Sequence, residues 1–220
     1  MKNFDIEIVL CIDSTGSMGP YFERTKKVIN DYEKLLEEYR SKLNSFRIQV
    51  ISFGDYYDGP DAVKKSRFFD LFKEKDELIE HIDNIEYIGK GADIPENGLE
   101  ALYEAVETEW TPKNKESLNR KIIIIISDAP PLELQERADV LGYPDYYPKD
   151  LKELETIYNE KFADKYYGKL LLIVPTDTSW NEVYDFKNVL LYDIEEFGYK
   201  FLKVPFYRLF CKRFQKTPYF

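Results

Sequence analysis

The sequence predicts an α/β fold, a doubly wound and mostly parallel central β-sheet flanked by helices. Three observations carry that expectation. Short, nearly continuous apolar runs recur at 6–12, 122–126 and 169–176, as strands buried on both faces require. Segments of helical period separate the strands, and such alternation builds parallel sheets with right-handed connections. The first two runs each stop at an aspartate-bearing turn, DSTGSMG and SDAPP.

The elements follow in order. After the first strand, Pro20 suits a first helical position, and Val28, Tyr32, Leu35, Leu36 and Tyr39 fall on one stripe, predicting an amphipathic helix over about 20–42. FRIQVISF at 46–53 alternates as a strand and ends at Gly54 and Asp55. RFFDLF at 67–72 predicts an edge strand, followed by a short helix over 75–83. GKGADIPENG is a Gly-rich loop whose Pro95 is expected to open a helix carrying Leu99, Leu102 and Val106. KIIIIIS at 121–127 is the clearest buried strand. The Tyr- and Pro-rich stretch at 142–150 breaks the pattern before a helix over 151–162, a strand over 169–176, a short helix over 181–186 and a last strand over 188–194. One domain over 1–194 is expected, with the aromatic and basic extension 195–220 packing on it.

Composition narrows the function. A net charge of −10 repels a nucleic-acid backbone and an anionic membrane surface, so neither is an expected partner. Cys11 and Cys211 have no paired spacing, and no run is long enough to span a bilayer, which together point to a reducing, cytoplasmic setting. The 18 Tyr and 15 Phe supply a large core and also interface material, with GDYYDG, YPDYYP and the C-terminal FYRLFCKRFQKTPYF as the candidate surfaces. Tyr56 and Tyr57 follow the second strand and are expected at the rim of any site on that edge.

In an open α/β sheet, ligands collect beyond the carboxyl ends of the strands where the strand order reverses. Asp13, Thr15 and Ser17 follow the first strand, Asp93 lies in the Gly-rich loop, and Asp128 follows the IIIIIS strand. All are oxygen donors, suited to a hard cation such as Mg2+, or Mn2+ or Ca2+. Read alone, DSTGSM is also a strand-to-helix turn with a capping side chain, and Asp93 a helix cap.

DSTGSM, with SDAPP and GKGADIPENGLEAL, resembles the von Willebrand factor type A (vWA) domains, whose metal-ion-dependent adhesion site (MIDAS) begins with Asp-x-Ser/Thr-x-Ser. The alpha-kinase-associated, bacterial and protist type is the most similar. The resemblance covers about 4–131. It implies a Rossmann-like fold and metal ligands at Asp13, Thr15, Ser17 and Asp128. Ala92 stands where the family has a threonine ligand, so Asp93 or a water would complete the shell. It further implies a non-enzymatic module in a bacterial assembly, whose partner protein supplies a Glu or Asp to the ion.

Rival readings are a phosphotransferase with Asp13 as nucleophile, or a scaffold with a vestigial site. A dehalogenase-type enzyme places a second aspartate where Thr15 stands. His81 is the only histidine; it is expected on a solvated helix face and leaves a serine-hydrolase triad without a partner. GKGAD lacks the Gly-Lys-Ser/Thr ending of a phosphate loop.

Overall fold

The computed structural model describes residues 3–87, 95–112 and 116–195, though not the side chains of 32–36, 38 and 39. The order of elements is β1 (Phe4–Asp13), α1 (Gly19–Tyr39), β2 (Leu43–Phe53), β3 (Val63–Asp70), α2 (Lys75–Asp83), α3 (Gly98–Val106), β4 (Leu118–Ile126), α4 (Leu151–Ile157), β5 (Lys169–Val174), α5 (Trp180–Tyr184) and β6 (Val189–Asp193). The six strands form one sheet in the order β3-β2-β1-β4-β5-β6. Every neighbouring pair is parallel except β2 with β3. The chain runs from β1 to one edge and then returns to β4 to build the other. β1 and β4 therefore flank the switch point, and their carboxyl ends open on one crevice.

Strand alternation sorts the core into two layers. Ile6, Ile8, Leu10 and Ile12 of β1, with Ile122, Ile124 and Ile126 of β4, pack against Phe22, Val28 and Ile29 of α1 and Leu78 and Ile82 of α2. Val9 and Cys11, with Ile123 and Ile125, face the other way onto Leu99, Leu102 and Val106 of α3, Leu154 of α4 and Trp180 of α5. Burial on both faces is why these strands read as continuous apolar runs. Cys11 is fully buried, its thiol directed at the Ala101 carbonyl, and desolvation pushes its pKa far up, out of the reactive range.

Four expectations are corrected. The edge strand begins at Val63, because Lys64 and Lys65 of an edge can reach solvent and so mask the strand pattern. α3 begins at Gly98 and not at Pro95: Glu96 first pairs with Pro131 in a parallel bridge, which holds this stretch extended. The helix over 151–162 is α-helical only to Ile157 and continues as a π-helix over Tyr158–Asp164, whose Tyr158, Phe162 and Ala163 are buried. His81 is half-buried against the Phe69 ring at 5.6 Å, and burial lowers its pKa, with the Arg67 charge acting in the same direction.

A polar knot closes the amino end of the sheet. Glu7 lies in register with Arg47 of β2 and Lys121 of β4 and accepts hydrogen bonds from both, as well as from Thr111 Oγ1 at 2.6 Å. Among the described residues no helix is long and apolar enough to cross a membrane. The extension from residue 196 onward lies outside the described residues.

Candidate metal centre

β1 delivers Asp13 to the crevice, and the chain then turns sharply. Ser14 fixes that turn to the end of β2, donating to the Phe53 carbonyl from its N–H at 2.7 Å and its hydroxyl at 2.9 Å. Asp13 is fully buried, and both of its oxygens accept. Oδ1 takes the Thr15 N–H at 2.9 Å and the Thr15 hydroxyl at 2.7 Å; Oδ2 takes the Ser127 hydroxyl at 2.7 Å, across from β4. Burial pushes the Asp13 carboxyl up to about 6, against the hydrogen bonds from Ser127 and Thr15.

Asp13 thus orients hydroxyls. Because Thr15 spends its proton on Asp13, its oxygen lone pairs remain for a cation or a donor, and Ser17 Oγ stands 3.4 Å from it. Ser17 is exposed and Asp128 half-buried, so the crevice opens to solvent on that side. The Asp128 charge also acts on Asp13. The structure therefore brings together Asp13, Thr15 and Ser17, with Asp128 within electrostatic reach of Asp13. Asp93 and Ala92 lie outside the described residues.

Two site residues escaped the sequence reading. Ser127 bridges β4 to Asp13; its only signal was its place immediately before Asp128. Glu96 belongs to the GADIPENG stretch, where Pro95 predicts helix. It is buried, its N–H donates to the Pro130 carbonyl at 3.1 Å, its carbonyl accepts from Leu132 N–H at 2.8 Å, and its Oε2 has no hydrogen-bond partner. Burial first, then the charges of Asp13, Asp55, Asp58 and Asp128, push its carboxyl up to about 9. An unpaired buried carboxyl oxygen costs free energy, and a cation that displaced its proton would offset that cost.

The oxygen-only donor set fits a hard divalent ion. Among the described residues no three His, Cys, Asp or Glu side chains are grouped to hold a metal. An ion here would depend on the Thr15 and Ser17 hydroxyls, with the carboxylates around them.

Tyr56, expected at the rim, is instead buried, its hydroxyl 2.9 Å from that of Tyr147. Tyr57 is exposed, with the Arg137 guanidinium 4.1 Å from its ring centre, and Arg137 in turn makes two hydrogen bonds to Asp55 at 2.6 and 2.7 Å.

The family model for the von Willebrand factor type A domain matches residues 7–156. The chain belongs to this family. A vWA domain commonly serves as a protein–protein interaction or adhesion module. The alpha-protein kinase vwkA of Dictyostelium discoideum is 27% identical over 147 residues, 67% of this chain but 22% of that protein. The vWA chain thus spans under a quarter of its relative. Among solved structures, the pilus adhesin SpaC from Lactobacillus rhamnosus GG superimposes with a TM-score of 0.60 at 10% identity, covering 94% of this chain and 31% of that one. Proximal thread matrix protein 1 from the mussel byssus gives 0.51 at 14% identity, covering 92% and 47%. At such identities the likeness extends to the fold alone.

Proposed function

We propose that the protein is a divalent-cation-dependent recognition module that engages an acidic side chain of a partner protein within a larger assembly. The observation that supports this most is Asp13, fully buried at the switch point and accepting from Thr15 and Ser127. This arrangement fixes hydroxyls from the turns after β1 and β4 around one carboxylate. Thr15 and Ser17 would hold the ion, Asp13 and Asp128 would neutralise it directly or through water, and Asp93 or the unpartnered oxygen of Glu96 would supply what Ala92 does not.

A hard cation bound there, Mg2+ or a similar ion, supplies an open coordination position for a carboxylate oxygen. The protein's own residues do the rest: they orient the donors and leave the Ser17–Asp128 side open. No catalysis is required. Asp13 has both oxygens occupied, which suits an anchor better than a phosphate-accepting nucleophile.

Thermal unfolding tests the reading. Magnesium at about 100 times its dissociation constant should stabilise the chain by about 2.7 kcal/mol, and Asp13→Ala and Asp128→Ala should each remove that gain together with cation-dependent capture of the partner. Insensitivity of the wild-type midpoint to both magnesium and chelator would leave only a scaffold. Steady phosphate-ester hydrolysis, lost in Asp13→Asn, would favour the enzyme.

A further inference from the structure

Beside the metal centre stands a third, smaller core built from tyrosines. Tyr56, Tyr143 and Tyr147 pack edge to face with centroids 5.1–6.3 Å apart, and Ala62 fills in beneath them. The cluster joins the turn after β2 to the long excursion after β4. Three polar ties lock it: Arg137 to Asp55, Tyr143 Oη to Glu100 Oε1 at 2.8 Å, and Gln135 Nε2 to the Tyr147 and Pro148 carbonyls at 3.1 and 3.0 Å. Gly142, with φ of 96°, lies against Pro60, where a Cβ would come within 2.4 Å of the proline side chain.

This rigid platform holds three apolar or aromatic side chains out in solvent. Tyr57 is 63% exposed, Leu141 90% and Tyr146 61%. Tyr57 has one ring face covered by Arg137, and Tyr146 is held through its hydroxyl by Glu104 at 2.9 Å. Such pre-positioning lowers the entropy lost when a partner arrives. Lys65 is spent on Glu104 at 2.7 Å, and the exposed charges of the two segments that carry these side chains are acidic. Segments 55–61 and 133–147 contain seven Asp and Glu and one basic residue, Arg137, which is buried and already paired. Asp58, Asp61, Asp139 and Asp145 are all exposed.

We infer that this face is a docking surface for a Lys/Arg-rich segment of a partner protein. Tyrosine rings and carboxylates side by side both attract guanidinium and ammonium groups, whose stems can cover Leu141. An acidic segment would be repelled from the same face. The surface is separate from the metal centre and does not depend on the metal reading.

The test uses the full chain and a fluorescein-labelled peptide of Arg-Ala-Leu-Lys repeats, followed by anisotropy at about 0.15 M salt. Binding should persist in chelator and weaken about tenfold both in Tyr57→Ala/Tyr146→Ala and in Asp58→Asn/Asp61→Asn/Asp139→Asn. Asp76→Asn/Glu80→Gln, on α2 across the sheet, should shift it less than about twofold, with melting curves confirming that every variant folds. Equal weakening by the α2 variant would reduce the effect to net charge and overturn the proposal. So would loss of binding in chelator, or absence of binding altogether. Carbodiimide cross-links from Lys212 or Lys216 to Asp58 or Asp139 in the peptide-free monomer would give the surface to the chain's own C-terminal segment and equally overturn an external occupant.

Discussion

Glu100 is fully buried, and Tyr143 donates to it. Burial, partly opposed by that hydrogen bond, raises its carboxyl from 4.5 to about 7. Between those values the native state keeps a proton that the unfolded chain has released, so stability falls as pH rises through that window. The full loss is on the order of 3 kcal/mol. Glu100→Gln keeps an acceptor for Tyr143 and removes the titration. Urea melts should therefore show the variant matching the wild type near pH 4.5 and exceeding it at pH 8; an equal difference at both would contradict the assignment. Glu7 is also buried, but it is paired with Arg47 and Lys121. Glu7→Gln takes the carboxylate from Lys121, which is only 2% exposed and whose pKa burial lowers to about 7, and should cost up to about 3–5 kcal/mol below that pH. A double variant with Lys121→Met should recover much of that loss. Single residues were also where sequence reading was weakest: Ser127 and Glu96 matter through partners more than thirty positions away, and nothing local announces such pairings.

At the scale of elements the strands were legible and the boundaries less so. Five isoleucines in β4 can only be a strand buried on both faces, whereas the lysines of β3 look like loop until the edge position is known. Pro95 suggested a helix start, but the bridge from Glu96 to Pro131 delays it to Gly98. Gly98 is there for tertiary reasons. A Cβ would lie 2.7 Å from the Trp180 indole, which is fully buried and tied through its N–H to the Ala129 carbonyl at 2.9 Å. The indole cannot yield cheaply, so Gly98→Ala should lose about 1–3 kcal/mol despite the better helix propensity of alanine. A denaturation midpoint at or above wild type would show that α3 and α5 have room to separate.

For the whole molecule, strand order is what brings the turns after β1 and β4 together. Alternating strands and helices predicted the parallel sheet, and the switch-point rule predicted that the turns after β1 and β4 would meet; Ser127 bonded to Asp13 is that meeting. The burial gradient was not legible, because it depends on which strand lies beside which: Asp13 is closed off, Asp128 is half-buried and Ser17 is exposed. On the proposed reading, the carboxyl end of the sheet would offer a cation to an acidic residue, and the tyrosine platform would offer carboxylates to basic ones. The most direct test is calorimetric titration of the metal-stripped full chain with magnesium, manganese and calcium, beside Thr15→Val and Asp128→Ala. The account predicts saturable binding of at least one ion by the wild type and its loss in both variants. Absence of binding for all three ions, in a chain that melts cooperatively, would contradict it.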